Sequence, residues 1–269
     1  MTAVTKPKII AEIAQAHDGS LGQAFAFIDA VAETDADAIK FQCHMADEES
    51  THLEKFRPGG FFPQDPTRQH YWRRTAFTWD QWRKLAEHAG NCGLEFGLSF
   101  FCSKAARELA TLCDFVKVPS GETDNPHLIG ELRRIQHQPI YWSLGMSGIL
   151  DCPEDLIPRV IPLYCVPQYP ATPQQMDLER VNRHVGLSDH SGYIWPGVIA
   201  AFNRAPAIEV HVCWHKEQFG PDTASSLTVD QLRELVDAVR WVSWIGESPH
   251  GLEDRRRAKE RYLQGRNTA

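Results

Sequence analysis

Eight short runs of β-branched and aliphatic residues recur along this chain, separated by segments with apolar residues at i, i+3 and i+4. The runs are KIIAEIA (8–14), AIKFQC (38–43), EFGLSF (95–100), FVKVPS (115–120), PIYWSLG (139–145), IPLYCVP (161–167), VGLSDH (185–190) and AIEVHVC (207–213). Segments 24–34, 78–92, 103–113, 126–135, 196–204 and 228–245 read as amphipathic helices between and after them. Strand and helix in alternation imply parallel strands, because a parallel neighbour is reached through a crossover that is usually a helix. Eight such units in 269 residues predict an α/β fold, a single-domain (β/α)8 TIM barrel over residues 1–246, with 247–269 a polar tail.

Two stretches strain the pattern. Residues 44–77 form a Gly- and Pro-punctuated insertion after the second strand, longer than a compact loop runs without a functional reason, and placed to act as a lid. The fifth and sixth helices, around 151–159 and 172–184, are short and broken by prolines.

Charge and cysteine content narrow the function. With 28 Lys plus Arg against 35 Asp plus Glu, and no long basic block, the chain lacks the clustered positive charge that nucleic acid or an anionic membrane requires. The run Arg255 to Arg257 sits among Glu253, Asp254 and Glu260 and fits a solvated helix face. No stretch approaches the roughly 18 apolar residues of a membrane span, and the N-terminus lacks a signal-peptide core, so a soluble, cytoplasmic protein is expected. The seven cysteines contain no C-x-x-C pair and read as buried thiols; Cys165 and Cys213, inside apolar runs, read as small core hydrophobes.

The active site of such a barrel lies at the C-terminal ends of its strands, and polar residues are dense there. Glu12 lies in the first strand; Lys40 and Gln42 end the second, Ser99 the third, Lys117, Ser120 and Glu122 the fourth. Ser143 ends the fifth, Tyr169 follows the sixth, Ser188 and His190 end the seventh, and His211 ends the eighth. Lys40 and Lys117 alternate with Ile39, Phe41, Val116 and Val118, which turns both ammonium groups into the barrel. Two readings follow: a site for a polyanion such as a phosphate with a carboxylate, or a buried Lys–Glu network with Glu12 or Glu122. The serines favour the first, since a charge-pair network needs no extra donors. His190 and His211 end consecutive strands and should be neighbours. With a carboxylate such as Glu12 or Asp222 they suit a divalent first-row metal, although a lone histidine is more often a satisfied core residue.

The motifs IAEIAQAHDGSL (10–21), AIKFQ (38–42), KVPSGETDNP (117–126), SLGMS (143–147), LYCVPQYPATP (163–173), GLSDHSG (186–192) and EVHVCWHKEQFGPDTASSL (209–227) together resemble the catalytic barrel of the sialic acid synthase family. The resemblance covers about residues 8–245. It implies a synthase that condenses phosphoenolpyruvate with an aldose to give a 2-keto-3-deoxy sugar acid and phosphate. His190 and His211 then look like metal ligands, with manganese the expected ion. Lys40, Lys117, Ser120, Ser143 and Ser188 look like the phosphoenolpyruvate clamp, with Ser99 where the family usually has threonine. Glu12, Gln42, Glu122, Tyr169 and Asp222 look like contacts to the acceptor sugar or the attacking water.

Pro167 stands where the family typically has an asparagine at the phosphoenolpyruvate site, and proline offers no side-chain hydrogen bond. The family's C-terminal antifreeze-like domain, which contacts the acceptor's N-acetyl group in a partner's barrel, has no counterpart before the sequence stops at Ala269. A homodimer is therefore implied by resemblance but lacks that interlocking element, and the acceptor is free to be a smaller or unacetylated aldose. Trp142 and Trp195, beside strand ends, either shape the acceptor pocket or pack in the core; Arg57, Arg73 and Arg74 could fold over the site from the insertion. The alternatives are the same site acting on a different carbonyl acceptor, or a non-catalytic ligand-binding barrel.

Overall fold

The structure, a computed structural model, describes residues 6–54, 65–148, 152–245, 256–257 and 259–262. Eight parallel strands follow one another around a closed barrel: β1 (Lys8–Ala14), β2 (Ala38–Cys43), β3 (Glu95–Phe100), β4 (Phe115–Val118), β5 (Ile140–Ser143), β6 (Val160–Tyr164), β7 (Gly186–Asp189) and β8 (Ala207–Cys213). β1 pairs with both β2 and β8, which closes the ring, and a two-residue strand, β9 (Leu227–Thr228), extends β8. The expected (β/α)8 architecture is the one observed.

Around the barrel run α1 (Leu21–Ala32), α2 (Ala46–Glu49), α3 (Arg68–Thr75), α4 (Trp79–Asn91), α5 (Ser103–Leu109), α6 (Pro126–Leu132), α7 (Trp195–Phe202) and α8 (Val229–Trp244). Their starts are written in the sequence. Thr78 and Thr228 each form a capping box with the glutamine three residues on, satisfying two backbone donors that the first turn cannot pair. The expected fifth and sixth helices are replaced by 3-10 turns at Ile157–Arg159, Pro173–Gln175 and Leu178–Arg180. Pro158 lacks the amide donor an α-helix over 151–159 would need, whereas Pro173 sits in a first turn, where proline is tolerated, and does not account for the loss of the second of these helices. The insertion at 44–77 contributes α2 and α3; Arg57 and the rest of 55–64 lie outside the described residues, as does most of the tail.

Strand alternation sorts the interior into layers. Ile10, Ala38, Phe115, Tyr141, Leu163 and Ala207 form an apolar cluster separate from the one under the helices, and they plug the barrel's lower half. Two residues further along their strands, the same face carries Glu12, Lys40, Lys117, Ser143, Cys165 and Glu209. Register links this upper layer: Glu12 lies opposite both Lys40 and His211, and Ser99 opposite both Gln42 and Lys117. The intervening residues, such as Ile9, Ala11, Ile39, Phe41, Val116 and Trp142, point outward into the large core beneath the helices.

Gly97 permits one close approach in the plug. A Cβ there would come within 2.2 Å of the Phe115 ring, so Gly97→Ala is expected to cost about 1–3 kcal/mol through overpacking. Urea denaturation would read it, and an unchanged midpoint would show that the ring has room to move.

Candidate active site

Glu12, Lys40, Gln42, Ser99, Lys117, Ser120, Ser143, Tyr169, Ser188, His190 and His211 all line one small cavity at the C-terminal mouth of the barrel, together with Glu209. Their side chains are mostly inaccessible to solvent. Lys40 is 1% exposed and Lys117 5%, so each must find a partner or a ligand. Lys40 Nζ pairs with Glu12, donates to Ser99 Oγ at 2.6 Å and lies 3.7 Å from Glu209 Oε2. Lys117 Nζ donates to Glu209 Oε1 at 2.6 Å, and Ser188 Oγ donates to the same oxygen at 2.8 Å. The Lys–Glu network anticipated as an alternative is thus present, but its second carboxylate is Glu209, not Glu122.

These contacts set the charge states. Burial pushes the Lys40 ammonium down to about 7, against the pull of Glu209. Burial alone would raise the Glu209 carboxyl; Lys117 and Lys40 outweigh it and hold the group well below the usual carboxylate range. Two lysines face two carboxyl groups in this layer, with hydroxyls around them. Ser120 Oγ and Ser143 Oγ lie 2.6 Å apart, and Cys165 Sγ is 3.3 Å from the first and 3.1 Å from the second. Cys165 is therefore part of the polar mouth, contrary to its reading as a core hydrophobe, because it shares the inward parity of Leu163. Six of the seven cysteines are buried as expected; Cys92 is half-buried.

The two histidines are neighbours, with ring centroids 5.5 Å apart. His190 Nδ1 faces the Val166 carbonyl oxygen at 2.8 Å, so that nitrogen carries the proton. Burial, reinforced by His211, pulls the imidazole down to about 3, which keeps it neutral and leaves a lone pair on Nε2. That lone pair accepts from the Tyr169 hydroxyl at 2.9 Å, and the Tyr169 ring stacks on the imidazole. Asp222 Oδ2 lies 4.0 Å from His211 Nδ1. A neutral imidazole fixed by a backbone carbonyl through its far nitrogen is how proteins orient a metal-binding histidine, so this donor set fits a divalent ion with open positions. Among the described residues, the one three-donor grouping within 4.8 Å is elsewhere, Asp29, His88 and Cys92 between α1 and the end of α4. The mouth offers two protein nitrogens, and oxygen ligands would complete the shell.

Glu122 and Asp222 stand further out. They line a cavity of about 590 Å³ directly above the mouth, which shares Gln42 and Tyr169 with it. Its other wall comes from the insertion: His44, Glu48, Glu49, Arg68, Tyr71 and Trp72. His44 is sandwiched between the Trp72 and Phe101 rings and bonds Glu49 at 2.7 Å. The flanks of the 44–77 segment thus roof the site.

Several expectations need correction. Trp142 lies in the outer core because it alternates with the inward Tyr141 and Ser143, and Trp195 is 65% exposed at the start of α7. Neither shapes the cavity. Arg73 is exposed and paired with Asp47, and Arg74 is held by Asp65 and Asp18; the arginine on the cavity wall is Arg68. Pro167 is exposed. Glu209 was missed, although its position two residues before His211 in AIEVHVC gives it the same inward parity.

The fold is a TIM barrel whose buried lysines, carboxylates and imidazoles sit at the strand ends, where the active sites of such barrels lie. The sequence profile described as the NeuB family matches residues 27–248, and the chain belongs to that family. It is 30% identical to N-acetylneuraminate-9-phosphate synthase of Homo sapiens over 90% of this chain and 71% of that one. Pseudaminic acid synthase of Campylobacter jejuni is 29% identical over 92% and 77%. Among solved structures, the fold matches N-acetylneuraminic acid (sialic acid) synthetase from Leptospira borgpetersenii with a TM-score of 0.80, at 21% identity over 97% of this chain and 93% of that one. It also matches spore coat polysaccharide biosynthesis protein SpsE of Bacillus subtilis, with a TM-score of 0.71 at 28% identity over 88% and 68%. The chain is accordingly an enzyme of the synthase kind. No described helix is long and apolar enough to cross a membrane.

Proposed function

We propose that this enzyme condenses phosphoenolpyruvate with an aldose, in the cytoplasm, to give a 2-keto-3-deoxy sugar acid and inorganic phosphate. One observation carries the reading: two lysines, four serines and two facing imidazoles line one small cavity at the strand ends. Phosphoenolpyruvate would enter this layer as Lys40 and Lys117 turn from Glu12 and Glu209 toward its phosphate and carboxylate oxygens. A proton taken up by one of the released carboxylates would offset the added negative charge.

A divalent metal, manganese by preference, held by His190 and His211 would polarise the aldehyde oxygen as a Lewis acid. Lys40, Lys117, Ser120, Ser143 and Ser188, with Ser99 behind Lys40, fix the phosphoenolpyruvate. Gln42 and Tyr169, at the junction of mouth and outer cavity, steady the aldehyde end. The enol electron pair of phosphoenolpyruvate forms the new bond from its C3 to the aldehyde carbon, which leaves an oxocarbenium at C2. Water adds to C2, and its proton passes through a carboxylate among Glu12, Glu122 and Asp222 to the alkoxide left on the former aldehyde oxygen. Breaking the C2–O bond then releases phosphate and leaves the ketone, so that phosphoenolpyruvate, aldose and water balance keto acid and phosphate.

Incubation with phosphoenolpyruvate, manganese and aldoses of three to six carbons, with product mass measured, tests the reading. A condensed keto acid is expected with at least one sugar, and its absence from every mixture would overturn the proposal. Lys117→Ala is expected to weaken phosphoenolpyruvate by about one to two decades, on the order of 1.5–3 kcal/mol, while the aldose KM changes little. Equal weakening of both substrates would mark Lys117 as purely structural.

A further inference from the structure

Charge and hydrogen-bond character divide the site into two unlike halves. The mouth holds its lysines and serines together, whereas the outer cavity is walled by four carboxylates, Glu48, Glu49, Glu122 and Asp222, against one guanidinium, Arg68. Arg68 is already engaged, 2.7 Å from Glu54 and stacked over Trp72 at 5.4 Å, while Glu48 pairs with Lys104 at 3.4 Å and Glu49 with His44 at 2.7 Å, so the wall stays acidic mainly through Glu122, Asp222 and Glu49. The crowding of negative groups is felt: burial first, and then Glu49 and Asp124, raise the Glu122 carboxyl above its ordinary value against a hydrogen bond from Asn125.

An independent observation points the same way. Gln15, on the cavity wall, is 5% exposed; its Nε2 donates to the Gln42 carbonyl at 3.0 Å, which fixes the amide orientation, and its Oε1 has no hydrogen-bond partner. A buried oxygen left in that state calls for a donor. The wall's donors include Asn125, which bonds Glu122, and Arg68, which bonds Glu54, so the four carboxylates and Gln15 Oε1 favour a ligand rich in hydroxyl or amine donors. A phosphate presents oxygens that are nearly all acceptors and brings up to two further negative charges, so it finds neither partners nor charge balance there.

We propose that the acceptor bound in the outer cavity is an unphosphorylated aldose, and that this acceptor-rich wall excludes its phosphorylated counterpart. The inference rests on the condensation reading and specifies its second substrate. Family membership leaves the point open, since one relative is named for a 9-phosphate product and another for an unphosphorylated acid.

The test compares kcat/KM for matched pairs, N-acetylmannosamine with its 6-phosphate and arabinose with its 5-phosphate, at saturating phosphoenolpyruvate and manganese. The free sugar of whichever pair is turned over is expected to exceed its phosphate ester by at least about tenfold. Glu48→Lys, at the half-exposed rim of the wall, is expected to narrow that ratio severalfold by raising kcat/KM for the ester. A phosphate ester used as well as or better than its free sugar would overturn this inference and leave the condensation reading intact. Absence of any product from all four sugars and from the wider aldose panel would overturn both.

Discussion

His190→Ala and His211→Ala are each expected to lower turnover by at least about a hundredfold and to strip bound metal from the purified protein. Each removes one of the two imidazole nitrogens, leaving a single protein nitrogen and too few protein ligands to retain the ion against water. His190 is prepared for the role by burial, which keeps it neutral at any working pH, and by the Val166 carbonyl, which takes its only proton. Elemental analysis reads the metal directly. Undiminished manganese in both variants would show that the ion sits elsewhere.

Glu209→Leu is expected to destabilise the fold by about 3–5 kcal/mol, because it leaves Lys117 buried without its 2.6 Å partner and removes the counter-charge near Lys40. The double variant Lys117→Met with Glu209→Leu should recover much of that loss, since an apolar pair of similar volume carries no stranded charge. The sign of the pH effect follows from the depressed carboxyl. Its folded value lies below the ordinary 4.5, so its contribution is present above that pH and fades as acid approaches the folded value. Denaturant midpoints of wild type and Glu209→Leu should accordingly converge on acidification below about pH 4.5, and a gap that stays constant would mean that Glu209 acts through packing alone.

Alternation made most of the barrel legible in the sequence. The eight runs became the eight strands because one parity of each strand covers the core under the helices while the other fills the barrel, apolar in the lower layer and polar in the upper, and the lysines in β2 and β4 share that inward parity. Boundaries were less legible. FVKVPS ends as strand at Val118 and VGLSDH at Asp189, so Ser120 and His190 stand on the turns just beyond, where a functional group can lean over the mouth. After β5, Pro158 breaks the helical ladder; after β6, 3-10 turns replace the expected helix and no proline within 174–184 accounts for it. Glu209 escaped notice although it has the same setting as Glu12, a glutamate within an apolar strand run; its partner Lys117 lies 92 residues away in sequence. The outer cavity was hidden for the same reason: His44, Arg68 and Trp72 come together only when the insertion folds back over β2 and β3.

The fate of one oxygen atom separates condensation through C–O cleavage from hydrolysis or phosphoryl transfer at phosphorus. With phosphoenolpyruvate labelled by ¹⁸O at the oxygen that bridges C2 and phosphorus, addition of water at C2 followed by C–O cleavage places the label in inorganic phosphate, in step with keto acid formation. Label retained in the keto acid or in pyruvate would mean that the P–O bond breaks instead, and would contradict the mechanism assigned to the layer of Lys40, Lys117, His190 and His211.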